Sequence, residues 1–386
     1  MTRGEDEAVA HVHPAPDRGR VVARLGPEGA PLFVATAGIH GNEREGVLAL
    51  ERVAKALTPI AGRLRRRVVF LRGNLSALIA RQRYVDADLN RHFATERVER
   101  LVDGGEAHCA EDRELVALMH EILRELEAAP GRAFLLDLHS MSGAGPPFSL
   151  AADTLANRRI ASGLPLPLVL GMEEGIDGTL LSWFAERGYD HLGIEGGRIG
   201  EEATEENQEN AVWLLLERTG ALRPEDVPEL DRRRRDLAFA AKGTPDTVAV
   251  LHRHPVSPDD GFAMVPGFTN FDRVTRGELL ATEVRGDLRC PFDGVILLPL
   301  YQGRGSDGYF IGRTAGPVAR FFSAVARRLF GRKTLALLPG IRRHGERGLE
   351  IALHEASGWR LAACRFLGFW RQRPVGSNLV VTRRPQ

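Results

Sequence analysis

Apolar and polar positions alternate along this chain in two rhythms. Up to about residue 220, short continuous apolar runs at 33–37, 67–72, 134–138, 166–170 and 191–194 are separated by stretches whose apolar residues fall three and four apart. Runs of the first kind suit strands buried on both faces, and the second spacing marks one face of a helix. Helices are therefore predicted over 43–57, where Pro59 stops the pattern, and over 115–128, 179–187 and 205–219. Strands alternating with helices predict an α/β domain over residues 31–223, built on a doubly wound sheet with ligands at the carboxyl ends of its strands.

The rhythm changes further along. Residues 224–245, with Arg232-Arg-Arg-Arg235, read as a charged, largely exposed linking helix. From 246 to 317, short strands at 248–251, 261–265, 278–281, 294–298 and 309–311 with glycine turns predict a small β domain. The remaining 318–386 opens with an amphipathic helix over 318–330 and continues with strand-like runs around 349–353 and 359–370. Phe330, Trp359, Phe366, Phe369 and Trp370 are expected to fill a small core there. Residues 1–30, rich in proline, glycine and charge, read as a loose or edge-strand lead-in.

Charge sharpens the division between body and tail. From Val318 onward there are 14 Arg plus Lys against 3 Glu, a net of +11, while residues 1–317 carry a net of −10. A basic tail behind an acidic body can dock on that body or on an outside polyanion. Otherwise the composition, 43% hydrophobic and 27% charged, is that of an ordinary globular protein. Cys109, Cys290 and Cys364 are too few and too scattered for a disulfide framework or a cysteine-ligated metal. No apolar run has the length of a membrane span and the start of the chain lacks the features of a signal peptide, so a cytoplasmic location is the default expectation and no membrane partner is expected. The arginine run at 232–235 reads as a solvated helix face rather than a nucleic-acid site. Homo-oligomerisation stays open.

Candidate chemistry gathers where the predicted strands end. His40 and Glu43 lie three residues apart in Gly38-Ile-His-Gly-Asn-Glu43, at a strand-to-helix corner, and His139 ends the run Leu135-Leu-Asp137-Leu-His139. Two imidazoles and a carboxylate with one position open form the usual ligand set of a hydrolytic zinc site, one Zn2+ per chain. Glu195, at the end of Leu192-Gly-Ile-Glu-Gly-Gly, is the candidate base for a water proton, with pairing to Arg198 as its structural alternative. Asp137, two residues before His139 on the same strand face, is expected to accept from a ligand imidazole. Arg83, Asn90 and Arg91 form a cationic, amide-bearing cluster suited to a carboxylate and a developing oxyanion, which points to small anionic amides as substrates. Asp86 and Asp88 are read as salt-bridge partners that orient Arg83 or Arg91.

Four ordered motifs, Gly38-Ile-His-Gly-Asn-Glu43, Arg83-Tyr-Val-Asp-Ala-Asp-Leu-Asn-Arg91, Asp137-Leu-His139 and Ile194-Glu195-Gly-Gly, resemble the succinylglutamate desuccinylase/aspartoacylase family of the zinc carboxypeptidase superfamily. The resemblance covers about residues 30–220 and extends to Gly267-Phe-Thr-Asn-Phe271, Gly277-Glu-Leu-Leu-Ala281 and Pro291-Phe-Asp-Gly294. It implies a mixed sheet of zinc carboxypeptidase type and a zinc-dependent deacylase, with His40, Glu43 and His139 as ligands and Glu195 as general acid/base. It also implies that Arg83 polarises the scissile carbonyl and that Asn90 and Arg91 grip a substrate carboxylate. A carboxypeptidase acting on short peptides, and a non-catalytic metal-bearing module whose basic tail binds an acidic partner, are the alternatives. The segment after His139, Ser140-Met-Ser-Gly-Ala-Gly-Pro-Pro-Phe148, does not align with residues that would select the acyl group, and the basic extension has no counterpart in the resemblance.

Overall fold

The computed structural model describes residues 19–384 apart from 130, 303, 331, 346, 347 and 357. Most of the lead-in, residues 1–18, lies outside the described residues, and its remainder contributes an edge strand, β1 (Val21–Leu25). The central strands follow as β2 (Leu32–Ala37), β3 (Arg67–Arg72), β4 (Ala133–Met141), β5 (Phe148–Ala151), β6 (Leu168–Leu170), β7 (Asp190–Arg198) and β8 (Thr247–Pro255). Beyond them come β9 (Ala263–Met264), β10 (Arg273–Val274), β11 (Leu279–Glu283), β12 (Gly286–Arg289), β13 (Gly294–Leu297) and β14 (Asp307–Thr314). The last four are β15 (Ile341–His344), β16 (Gly348–Ala352), β17 (Arg371–Val375) and β18 (Asn378–Thr382).

One mixed sheet of eleven strands dominates, in the order β1-β3-β2-β4-β7-β5-β6-β8-β14-β13-β10. Its centre is parallel, β3, β2, β4 and β7 side by side, and these strands are buried almost throughout, as their continuous apolar runs require. Side chains alternate between two cores. Phe33 and Ala35 pack with Leu50, Leu57 and Trp213 from the helices Glu45–Leu57 and Glu202–Arg218. Leu32 and Val34 pack with Leu115, Met119 and Trp183 from the helices Ala110–Ala128 and Leu180–Glu186 on the other face. The chain steps from β2 to β3 on one side and then returns to β4 on the other, so a topological switch point lies at the carboxyl ends of β2 and β4.

Residues 246–317 are less separate than their sequence rhythm suggests. Strands β8, β14, β13 and β10 continue the main sheet, with β8 parallel to β6. Only β12, β11 and β9 form a sheet of their own, over a core with Leu280, Ile296 and Tyr309. The linking helix, Leu230–Ala240, is present, but its arginine run is not uniformly solvated. Arg233 and Leu237 are buried, and Arg233 donates to Glu209 and Asn210 at 2.9 Å each, because four-residue spacing turns these two positions toward the helix Glu202–Arg218.

The tail folds as a four-stranded antiparallel sheet, β15-β16-β18-β17, behind the helix Pro317–Leu329. One expectation fails here: 359–366 is a helix, Trp359–Phe366, not a strand. Its Leu-Ala-Ala-Cys-Arg centre favours a helix, and Leu361 and Cys364 supply an inward face at helical spacing. In consequence Trp359 and Phe366 point outward, 52% and 41% exposed, and Phe330 is 47% exposed. Of the five aromatic residues expected in this core, only Phe369 is fully enclosed.

Candidate metal centre

The strand–turn–helix corner after β2 depends on close backbone approach. A Cβ on Gly41 would lie 2.0 Å from the Ala77 carbonyl carbon, so no other residue fits between this turn and the helix Leu75–Ala80. The turn places His40 and Glu43 beside the end of β4, which carries His139. In register, His139 lies directly opposite Glu195 on the parallel strand β7, and both side chains therefore share a sheet face.

His40, Glu43 and His139 are buried, and their ligand atoms all lie within 4.8 Å of one another. Nδ1 of His40 is 2.7 Å from Glu43 Oε1, and Nδ1 of His139 is 3.1 Å from Glu43 Oε2. The other ring nitrogen of each imidazole faces a second carboxylate: His139 Nε2 is 2.8 Å from Asp137 Oδ2, and His40 Nε2 is 3.1 Å from Asp88 Oδ1. An imidazole that donates Nε2–H to its outer carboxylate turns its Nδ1 lone pair toward Glu43. In that tautomer two lone pairs and a carboxylate converge on one small volume, an arrangement that a cation between them stabilises. Burial alone would raise the Glu43 carboxyl and lower the His139 imidazole. The mutual attraction of Glu43 with His40 and His139, and of His139 with Asp137, reverses both, holding Glu43 well below the usual carboxylate range and His139 well above the usual imidazole range. Positive charge thus belongs at this point, and the donor set, two nitrogens and a carboxylate, is that of a zinc site with an open position.

Glu195 faces the same cavity. Its Oε2 is buried without a hydrogen-bond partner, and Arg198, its structural alternative, is exposed. Burial above all, and then the Glu43 charge, raise the Glu195 carboxyl to about 7, against the lowering influence of His139, His40 and Arg83. Arg83 donates to Asp88 at 3.0 Å and approaches Glu43 at 3.4 Å, while its Nε is buried and unpartnered. Asp88 therefore bridges His40 and Arg83. Asp86 does neither: it accepts from the Ala110 backbone N–H at 2.7 Å, capping a helix.

Asn90 and Arg91 reach the cavity, but both are engaged within the protein. Asn90 Oδ1 accepts from the Leu180 N–H at 3.0 Å, and the Arg91 guanidinium donates to Asp307 at 2.8 Å and Ser306 at 2.9 Å. Asp307, at the start of β14, and Glu173, in the turn after β6, line the cavity as well. Both come from segments whose sequence reads as ordinary loop and strand start, and only their polarity beside the apolar runs of β6 and β14 could have flagged them. A second group, His92, Cys109 and Asp112, also lies within ligand distance. Its carboxylate is already taken by Arg97, at 2.6 Å, and by the His108 N–H, at 2.9 Å, so the local positive charge is supplied and a cation is disfavoured.

Known proteins resemble the part of the chain that carries this site. Residues 30–201 match the family model of the succinylglutamate desuccinylase/aspartoacylase catalytic domain. A succinylglutamate desuccinylase of Pseudomonas putida is 37% identical over 109 residues, 28% of this chain and 30% of that protein. One of Pseudomonas aeruginosa is 40% identical over 87 residues, 22% of this chain and 25% of that protein. The matched segment thus spans less than a third of these relatives' length. Among solved structures, the product-bound ectoine utilization protein EutE of Ruegeria pomeroyi is similar with a TM-score of 0.55 and 18% identity, over 75% of this chain and 86% of that one. A succinylglutamate desuccinylase/aspartoacylase of Rhodobacter sphaeroides gives 0.54 and 20%, over 76% and 87%. The solved structures share the fold, and residues 30–201, which carry the convergent His40, Glu43 and His139, are similar to the catalytic domain of the succinylglutamate desuccinylase/aspartoacylase family.

Proposed function

We propose that this protein is a zinc-dependent amidohydrolase that cleaves the amide bond of an N-acyl amino acid or a similar small carboxylate-bearing amide. The observation that carries the reading is the convergence of His40 Nδ1, His139 Nδ1 and the Glu43 carboxylate on one buried point, in a cavity also lined by Glu195 and Arg83, whose Oε2 and Nε are buried without a partner. His40, Glu43 and His139 would hold the ion, and Asp88 and Asp137 would fix the ring orientations. When bound, zinc supplies Lewis acidity toward a carbonyl oxygen and toward water.

The chain's own groups do the rest. Glu195, poised near 7 by burial, accepts a proton from the attacking water at Oε2 and returns it to the leaving nitrogen, so that the C–N bond breaks to a carboxylate and an amine. Arg83, held in place by Asp88, directs N–H toward the oxygen on which negative charge develops. Arg91 offers the cationic contact for a substrate carboxylate, in exchange with Asp307. Family relatives named as desuccinylases and an aspartoacylase support deacylation as the reaction class.

The test is Glu195→Gln, assayed on zinc-loaded protein against N-acetyl and N-succinyl amino acids and dipeptides. Turnover is expected to fall by about 10²- to 10⁴-fold while bound zinc stays near one per chain. Undiminished turnover would remove Glu195 from this role, and preference for dipeptides would redirect the reading to a carboxypeptidase.

A further inference from the structure

One wall of the cavity is a short irregular segment, residues 171–182, which contributes Met172, Glu173, Ile176 and Thr179 to the lining. It leaves β6 through Gly171, makes a single 3-10 turn over Glu173–Gly175, and ends in the first turn of the helix Leu180–Glu186. On the cavity side its backbone is tied by the bond from the Phe93 N–H to the Gly178 carbonyl, at 2.9 Å. What stands behind it is the basic C-terminal module.

Three module side chains meet this segment from outside. Trp370 lies against Gly171, which has φ of +84°, so closely that a Cβ there would come within 2.6 Å of the ring. Arg384, nearly buried, donates to Ser182 Oγ at 3.3 Å and to Glu186 at 3.2 Å. Arg371 donates to Glu186 at 2.7 Å and to Asp177 at 2.8 Å. Asp177 is exposed, so that last contact contributes little, and the weight falls on Trp370 and on the Arg384–Glu186 pair. The inner side of the same segment continues these contacts: Ser182 and Thr179 donate to Glu173 Oε1 at 2.7 and 2.6 Å, and Glu173 faces the cavity. A second line runs through Asp153, which is gripped by Arg327 and Trp370 from the module and by Arg158, and whose backbone N–H donates to Glu174 at 2.8 Å.

We infer that the C-terminal module is the outer support of the substrate cavity, with Trp370, Arg371 and Arg384 as positioning residues that fix the wall at 171–182. The charge asymmetry of the chain acquires a use: the basic tail docks on the acidic body, at Asp153, Asp177 and Glu186. This inference rests on the proposed function only where it speaks of substrate, and its first test needs no substrate.

Hydrogen–deuterium exchange of the zinc-loaded full chain is to be compared between wild type, Arg371→Met/Arg384→Met and Arg371→Lys/Arg384→Lys. Exchange within 171–182 is expected to rise on the order of tenfold in the methionine variant, to return toward wild type with lysine, and to stay unchanged within 110–128. Wild-type exchange at 171–182 in the methionine variant would overturn the inference. Should that variant not fold, Arg384→Met alone is expected to raise exchange at the same residues by roughly twofold, and no rise would overturn it equally. With an amide that the wild type hydrolyses, KM is expected to rise about fivefold or more while kcat and bound zinc stay nearly constant. An equal loss in kcat at constant KM would contradict positioning of the wall.

Discussion

Two buried ionic clusters lie on this scaffold and are built on opposite principles. Around Asp153, one carboxylate receives Arg158 at 2.6 and 3.0 Å, Trp370 at 2.6 Å, and the fully buried Arg327. Every carboxylate lone pair there has a donor, and two guanidinium groups more than offset one negative charge. Burial pushes the Asp153 carboxyl up and the arginines push it further down, so the cluster is electrically closed. Around Glu43, acceptors outnumber donors. Three ligand atoms converge, two imidazoles are each backed by a further carboxylate, and Glu195 Oε2 and Arg83 Nε find no partner. Such a cluster keeps polar atoms without partners and ligand atoms that can take a cation, and that separates a site from a clamp.

Breaking the closed cluster should cost the most in stability. Arg327→Met leaves Asp153 buried with one guanidinium fewer and is expected to lower unfolding free energy by about 3–5 kcal/mol, read by urea denaturation. Zinc content of the folded fraction should not change, because the two clusters share no ligand.

A third buried group sharpens the contrast. His191 is fully enclosed; its Nε2 accepts from the Ala152 N–H at 3.2 Å and its Nδ1 faces the Tyr189 carbonyl at 3.0 Å, so the neutral ring is satisfied where the metal-site rings are not. Burial lowers this imidazole to about 4. The unfolded chain then takes up a proton near pH 6.5 that the folded chain refuses until about pH 4, so stability contributed by the neutral ring is complete above 6.5 and is lost as pH falls toward 4. The loss should approach about 3 kcal/mol, and His191→Gln should flatten that limb of the stability curve.

Smallest is the effect of loosening the open cluster without removing a ligand. Asp137→Asn keeps an oxygen near His139 Nε2 but removes the charge, and zinc affinity measured by competition with a chelator is expected to weaken about 10- to 100-fold. An unchanged affinity would show that Asp137, which also accepts from Thr36 at 2.6 Å, serves only the strand.

Much of this was legible in the residues alone. Continuous apolar runs named the central strands, and the ends of β2, β4 and β7 brought His40, His139 and Glu195 together, because parallel strands put chemistry at their carboxyl ends. What sequence did not reveal depends on pairing between distant segments. The antiparallel insertion of β5 beside β7 and the merger of β8 and β14 with the main sheet are set by register, not by local pattern. The engagement of Arg91 by Asp307, 216 residues away, belongs to the same class. The helix at Trp359–Phe366 was missed for another reason, since bulky aromatic ends masked a helix-favouring centre. The open carboxylate of Glu195 and the closed one of Asp153 look alike in sequence; only their neighbours tell them apart.

The central claim is that the point between His40, Glu43 and His139 belongs to a metal ion. Zinc measured by mass spectrometry after reconstitution and desalting tests it most directly, in the wild type and in Glu43→Ala. About one zinc per chain in the wild type and less than about a tenth of that in the variant is the expected result. A wild type that retains no zinc, or a Glu43→Ala protein that retains a full equivalent, would contradict it.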